Sequence, residues 1–272
     1  MRGMYTAAVL DTFLDENIEF DGIIGVSAGA LFGVNYLSKQ KGRVIRYNCR
    51  FNSDKNYMGI IPFLKEGNVV STDYAYRKVP YELDPFDNET YLASNVPYYA
   101  VVTNVKTGLP EYIKIDDVFK QMDTLRASGS LPIVSKKVRF DGEDYLDGGI
   151  SDSIPYKWMM EHGYEKLVVI LTQDMDYVKE PFSKTWANLT LSGMPKIKER
   201  MLCRHEVYNN LVAELKELES TGKVMVIRPS KRITIGKLEK DPEKLRGVYE
   251  LGLSDCAKQM ASLKEFLNTE KP

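Results

Sequence analysis

The chain predicts an α/β protein, a three-layer α/β/α sandwich with a mainly parallel central sheet. Three observations carry this. Ile23-Ile24-Gly25-Val26 is a β-branched run that passes directly into a small-residue helical stretch from Ala28. Lys166-Leu167-Val168-Val169-Ile170-Leu171-Thr172 has the continuous apolar interior of a strand covered on both faces. A long helical pattern over 195–220 separates that strand from another short apolar run at 224–228. Apolar strands alternating with helices are the signature of this architecture.

Residues 5–16 place Ala8, Val9, Leu10, Phe13 and Leu14 against Asp11, Asp15 and Glu16, which predicts an amphipathic helix. Residues 20–26 form the strand that feeds the helix at 28–36. Residues 41–91 are rich in aromatics and turn formers but weakly periodic. A strand at 98–105 has a hairpin partner at 111–115 across Thr107-Gly108. A helix is expected over 118–127, then strand-like sequence over 138–146 around a turn at Asp141-Gly142. Pro155 opens a helix that runs to His162 and is closed by Gly163. The tail, 241–267, reads as two helices. Residues 1–175 are expected to form the core, with 176–272 supplying its remainder and a helical extension.

With 37 basic and 38 acidic side chains the net charge is −1, which gives no electrostatic case for nucleic acid. Cys49, Cys203 and Cys256 are odd in number and lack metal-ligand spacing, as expected of reduced thiols. No apolar run reaches the 18 residues of a membrane span, and Met1-Arg2-Gly3-Met4-Tyr5 lacks a signal-peptide core. A cytoplasmic protein is expected.

The chemistry centres on Gly25-Val26-Ser27-Ala28-Gly29, a G-x-S-x-G pentapeptide between strand and helix. With glycine at about 7% of average usage and serine taken as similar, chance supplies roughly 0.1 such matches in a chain this long. The strand-to-helix context makes chance a poorer explanation still. A serine there is held on a sharp turn with its hydroxyl exposed, small residues at Gly25 and Gly29 avoid clashes, and the helix N-terminus offers free N–H groups. Activation needs a base. His162 reads as a helix-end residue near carbonyls, and His205 as part of a basic helix face. Asp147, in Leu146-Asp147-Gly148-Gly149, ends a strand and can aim a carboxylate at Ser27; an Asx turn or helix cap explains the same residues equally well. An ordinary carboxyl, near pKa 4, is a weak base for a hydroxyl, so partial burial would have to raise it.

A G-x-S-x-G elbow, a late Asp-Gly-Gly and no well-placed histidine together resemble the patatin-like phospholipase family. Ala127-Ser128-Gly129-Ser130-Leu131-Pro132 is similar to the family's Ala-Ser-x-Ser-x-Pro segment, and Ser153 falls near its usual Asn. The resemblance covers about residues 1–172. It implies a serine acyl hydrolase in which Ser27 and Asp147 form a catalytic dyad, with a lipid or acyl-ester substrate, transient contact with a membrane surface and no metal or cofactor. Family members open with a strand and a Gly-Gly-Gly-x-Arg-Gly loop that forms the oxyanion hole. Met1-Arg2-Gly3 matches only the end of that loop. The expectation is that Met1 is an internal methionine and that the first strand lies outside the given sequence. Arg2, the Gly3 N–H and the Ala28 N–H remain as oxyanion-loop residues, and Gly148 and Gly149 support the dyad loop. Two alternatives stay open: an α/β-hydrolase with a Ser27–Asp147–His205 triad, and a non-catalytic lipid-binding or scaffold protein on the same fold. The stretch 182–194 reads as a packed connection or an interfacial lid. The aromatics of 47–63 read as core or as the wall of an acyl pocket.

Overall fold

A computed structural model describes residues 1–268. The elements run α1 (Met4–Asp15), β1 (Ile23–Val26), α2 (Ala28–Leu37), α3 (Arg43–Phe51), α4 (Ile60–Glu66), a π-helical stretch at Tyr74–Leu83 and α5 (Asn88–Ala93). There follow β2 (Tyr98–Asn104), β3 (Pro110–Lys114), α6 (Met122–Ser128), β4 (Val138–Phe140) and β5 (Glu143–Asp147). The chain continues through a 3₁₀ turn at Gly148–Ile150, α7 (Tyr156–Glu161), β6 (Leu167–Ile170), α8 (Lys184–Thr190), α9 (Pro195–Ser220), β7 (Val224–Ile227) and α10 (Pro242–Asn268).

The expected α/β sandwich is present, and its sheet is mixed. The crossover pairs β1–β2 and β6–β7 are parallel, whereas β2–β3, β2–β5 and β4–β5 are antiparallel, short turns joining β2 to β3 and β4 to β5. The β4–β5 turn is the expected one, with Asp141 and Gly142 both at positive φ (48° and 83°). Strand order in the larger sheet is β1-β2-β5-β4, with β3 also on β2; β6 and β7 form a second sheet. A cavity of about 1210 Å³ lies between the two sheets, lined by Ile23, Ile24 and Val26 of β1 and by Leu167 to Ile170 of β6. It explains why β6, although apolar throughout, is only partly buried beyond Leu167.

Two expectations are corrected. The tail is one 27-residue helix, α10, rather than two. Its glycines do not break it: Gly252 is where α10 crosses α1, and a Cβ there would lie 2.7 Å from both the Ala8 Cβ and the Tyr5 carbonyl oxygen. Residues 41–91 hold three α-helices and the π-helical stretch, each of ten residues or fewer. Such lengths give too few turns for an apolar stripe to emerge. The helix expected from residue 118 starts at Met122.

Candidate active site

The sheet register brings Ser27 and Asp147 together. Val26, the last residue of β1, pairs with Val101 of β2, and Asp147, the last residue of β5, pairs with Val102. Ser27 and Asp147 therefore emerge at one level on either side of β2. The Ser27 hydroxyl donates a 2.6 Å hydrogen bond to Asp147 Oδ2. Ser27 sits at φ 55°, ψ −121°, the strained backbone expected of a nucleophile elbow.

The elbow is fixed from several sides. The Tyr98 hydroxyl reaches the carbonyls of Gly29 (3.0 Å) and Ala30 (2.9 Å) in the first turn of α2. Gly25 leaves room for it, since a Cβ would fall 2.5 Å from that hydroxyl. Gly29 meets nothing within 4 Å, so no close neighbour requires a glycine there. Two further contacts come from the Ala-Ser-Gly-Ser segment. The Ser128 hydroxyl accepts from the Ser27 N–H (3.0 Å), and the Ser130 carbonyl accepts from the Asp147 N–H (2.9 Å). One segment thus grips both partners. Thr103 adds a bond from its hydroxyl to the Asp147 carbonyl (2.8 Å).

Asp147 is 1% exposed and fulfils both readings of its sequence. Oδ1 accepts from the Gly149 N–H (2.8 Å), capping the 3₁₀ turn, while Oδ2 takes Ser27. Burial pushes its carboxyl above the ordinary range, against the opposing pull of the Ser27 bond, the Arg204 guanidinium and the Gly149 N–H. Gly148 packs on β2 so closely that a Cβ would lie 2.1 Å from the Val101 oxygen. Gly149 does the same for Arg204, whose Nη2 would be 3.0 Å away. Ser153 donates to the Gly149 carbonyl (2.7 Å) and so braces the loop.

Ala28 opens α2, where N–H groups have no intrahelical acceptor. Gly3 is the N-cap of α1 and lies against Ala28, its hypothetical Cβ 2.8 Å from the Ala28 Cβ. Two helix N-termini, each equivalent to about half a positive charge, therefore meet beside Ser27. Arg2 lines the same cavity. The histidines stand apart from the serine–aspartate bond: His162 contacts the Trp158 carbonyl through Nδ1 (2.7 Å) and stacks on the Trp158 ring. His205 lines the cavity, but its nearest acidic group is Glu206, at 3.8 Å. With Asp147 bonded directly to Ser27, no imidazole stands between them as a triad requires.

The patatin-like phospholipase family model matches residues 1–158, more than half of the chain. The chain belongs to this family. A second match, to a domain of unknown function (DUF6363), covers residues 194–268. An uncharacterised protein of Escherichia coli K12, YjjU, is 26% identical over 277 residues, spanning 99% of this chain and 77% of its own length. In this patatin-like family member the cavity beside Ser27 is also lined by Leu31, Phe32, Tyr47, Tyr57 and Val79. The aromatic stretch thus serves as both core and wall. Three residues that line the cavity near Ser27, Lys179, Arg204 and Lys237, had no recognisable signature, because they lie on separate connections and helices. Among the described residues no helix is long and apolar enough to cross a membrane.

Proposed function

We propose that the protein is a serine acyl hydrolase that cleaves fatty acyl esters of lipids with a Ser27–Asp147 dyad. The observation that carries this is the 2.6 Å bond from the Ser27 hydroxyl to a buried carboxylate at a strained elbow. Ser27 Oγ attacks the ester carbonyl carbon as its proton passes to Asp147 Oδ2. The tetrahedral oxyanion takes N–H groups of Ala28 and Gly3, with the dipoles of α1 and α2 behind them. Collapse expels the alcohol, which receives the proton from Asp147, and leaves an acyl group on Ser27. A water molecule then attacks the acyl-enzyme, Asp147 accepting its proton and returning it to Ser27 Oγ as the fatty acid leaves. Burial makes Asp147 a stronger base than an ordinary carboxylate. The apolar cavity wall takes the acyl chain. Contact with a lipid surface falls to the exposed apolar side chains of α8.

Labelling with a fluorophosphonate, followed by mass mapping, tests this. Modification at Ser27, lost in Asp147→Asn and Ser27→Ala while both variants stay folded, is the expected result. An intact protein that takes no label would point instead to a lipid-binding role on the same fold.

A further inference from the structure

Four cations converge on the cavity beside the dyad. Arg204 projects from α9 onto the dyad loop, filling the space that a Gly149 side chain would take. Lys179, on the connection after β6, is held by its own backbone. Its N–H donates to Asn209 Oδ1 (2.9 Å) and its carbonyl accepts from Asn209 Nδ2 (3.1 Å), five residues beyond Arg204 on α9. Its ammonium lies 4.4 Å from the centre of the Tyr208 ring. Lys237 comes from the connection between β7 and α10, and Arg2 from the segment before α1.

Such a cluster is costly without counter-charge. Among the described residues, none of the four side chains enters an ion pair within 4.0 Å, and Arg204 Nε is buried with no hydrogen-bond partner. The one carboxylate among the strongest influences on Arg204 and Lys237 is Asp147, which the reaction needs ionised. The cations instead act on one another. Burial, then Arg204, Arg2 and Lys237, push the Lys179 ammonium down to about 7. An anion placed among them would relieve the mutual repulsion of all four cations and raise that ammonium again.

We propose that Arg2, Lys179, Arg204 and Lys237 form an anion-binding subsite, so that the enzyme selects acyl esters carrying a phosphate or carboxylate near the scissile bond. This rests on the hydrolase reading of Ser27 and Asp147. Arg204 supplies a planar fork suited to two oxygens of such a group, and the lysines supply point charges on its other sides. The subsite belongs largely to the second half of the chain. Three of its four side chains lie beyond residue 158, and Arg204 and Lys237 fall within 194–268.

The test compares two short-chain esters of equal acyl length, a monoacylglycerol and the corresponding acylglycerol phosphate, below their aggregation limits. The wild-type kcat/KM should favour the phosphate ester, and the ratio should fall about tenfold in Arg204→Gln and in Lys179→Gln, chiefly through KM. Arg204→Lys should restore part of it. Lys231→Gln removes a charge from an exposed site that does not line the cavity and should leave the ratio unchanged. A wild-type ratio near one, or equal losses on both esters, would overturn the proposal; the second outcome would assign the cations to the oxyanion or to folding. Competitive inhibition by inorganic phosphate that is lost in the variants would show that the subsite accepts a free anion. Discrimination without such inhibition would restrict it to a lipid headgroup. If the wild type takes no fluorophosphonate label, the hydrolase reading fails by itself. Calorimetry with inorganic phosphate then judges the subsite: binding lost in Arg204→Gln and Lys179→Gln sustains it, and no binding to the wild type sinks it.

Discussion

Ser27 holds φ 55° with a side chain attached, a conformation that glycine adopts freely and other residues do not. Ser27→Ala and Ser27→Gly both remove the hydroxyl and its bond to Asp147, so comparing them isolates the strain. The glycine variant should be the more stable by about 1 kcal/mol, read as a higher melting temperature, while neither hydrolyses ester. Equal melting temperatures would mean the elbow is unstrained. In the proposed reaction Asp147 sets the pH dependence. Its carboxyl is raised above the ordinary range by burial, and only the ionised form can take the serine proton. Activity should therefore fall as pH drops through a value above the usual carboxylate pKa near 4. A pH profile of kcat/KM should show that acid limb. For stability the sign is opposite: the folded chain binds this proton more tightly than the unfolded chain does, so protonation favours folding. The stability cost is present above the raised value and disappears as pH falls through it. Asp147→Asn removes the buried charge and should narrow the difference in melting temperature between neutral and mildly acid pH.

At the scale of elements, the hydroxyl of Ser128 at the end of α6 reaches across to the elbow. Ser128→Ala leaves the Ser27 N–H without its acceptor and should cost about 1–3 kcal/mol by chemical denaturation, with a loss of kcat. Ser130→Ala should be milder, because Ser130 holds Asp147 through its backbone carbonyl. α10 offers an opposed pair. Gly247 is exposed with nothing near its Cβ position, so Gly247→Ala should stabilise by about 1 kcal/mol through helix propensity. Gly252→Ala gains the same propensity but drives a methyl into the Tyr5 backbone oxygen, and should destabilise by about 1–3 kcal/mol. The same contact accounts for what was and was not legible in the tail. A glycine is locally a helix breaker, and only the partner helix, some 240 residues away in sequence, reveals it as a packing site. Long or strongly apolar elements, such as α9, β2 and β7, could be read from their own residues. The short helices between α2 and β2 could not, since each has too few turns for an apolar stripe to show.

At the scale of the whole molecule, the two candidate catalytic residues were legible because each sits at a strand end with its own local chemistry, glycines included. Of the four cations beside them, Arg2 was legible through its loop, whereas Lys179, Arg204 and Lys237 were not. Arg204 stands next to His205 in a basic helical stretch, and only the approach of α9 to Gly149 carries it to Ser27 and Asp147. The lid question has a similar form. The stretch 182–194 holds a short helix, α8, that buries Ala187 and leaves Leu191 covered just beyond its end, so it is packed on one side. Its other side leaves Trp186 58% and Leu189 73% exposed. Phe182, two residues before α8, lines the cavity, and the exposed Ile133 and Leu238 line it as well. The cavity rim and the outer face of α8 are thus both apolar, an arrangement suited to passing an acyl chain out of a lipid surface, with Lys184 in reach of headgroups. Replacing both Trp186 and Leu189 with serine should weaken binding to anionic phospholipid vesicles and slow hydrolysis of vesicle lipid by about tenfold or more, at the usual ~25 cal/mol per Å² of apolar area. Hydrolysis of a soluble short-chain ester should stay close to wild type, because neither side chain lines the cavity. Equal losses on both substrates would place α8 in the support of the site itself, and no loss on either would return it to an ordinary connection.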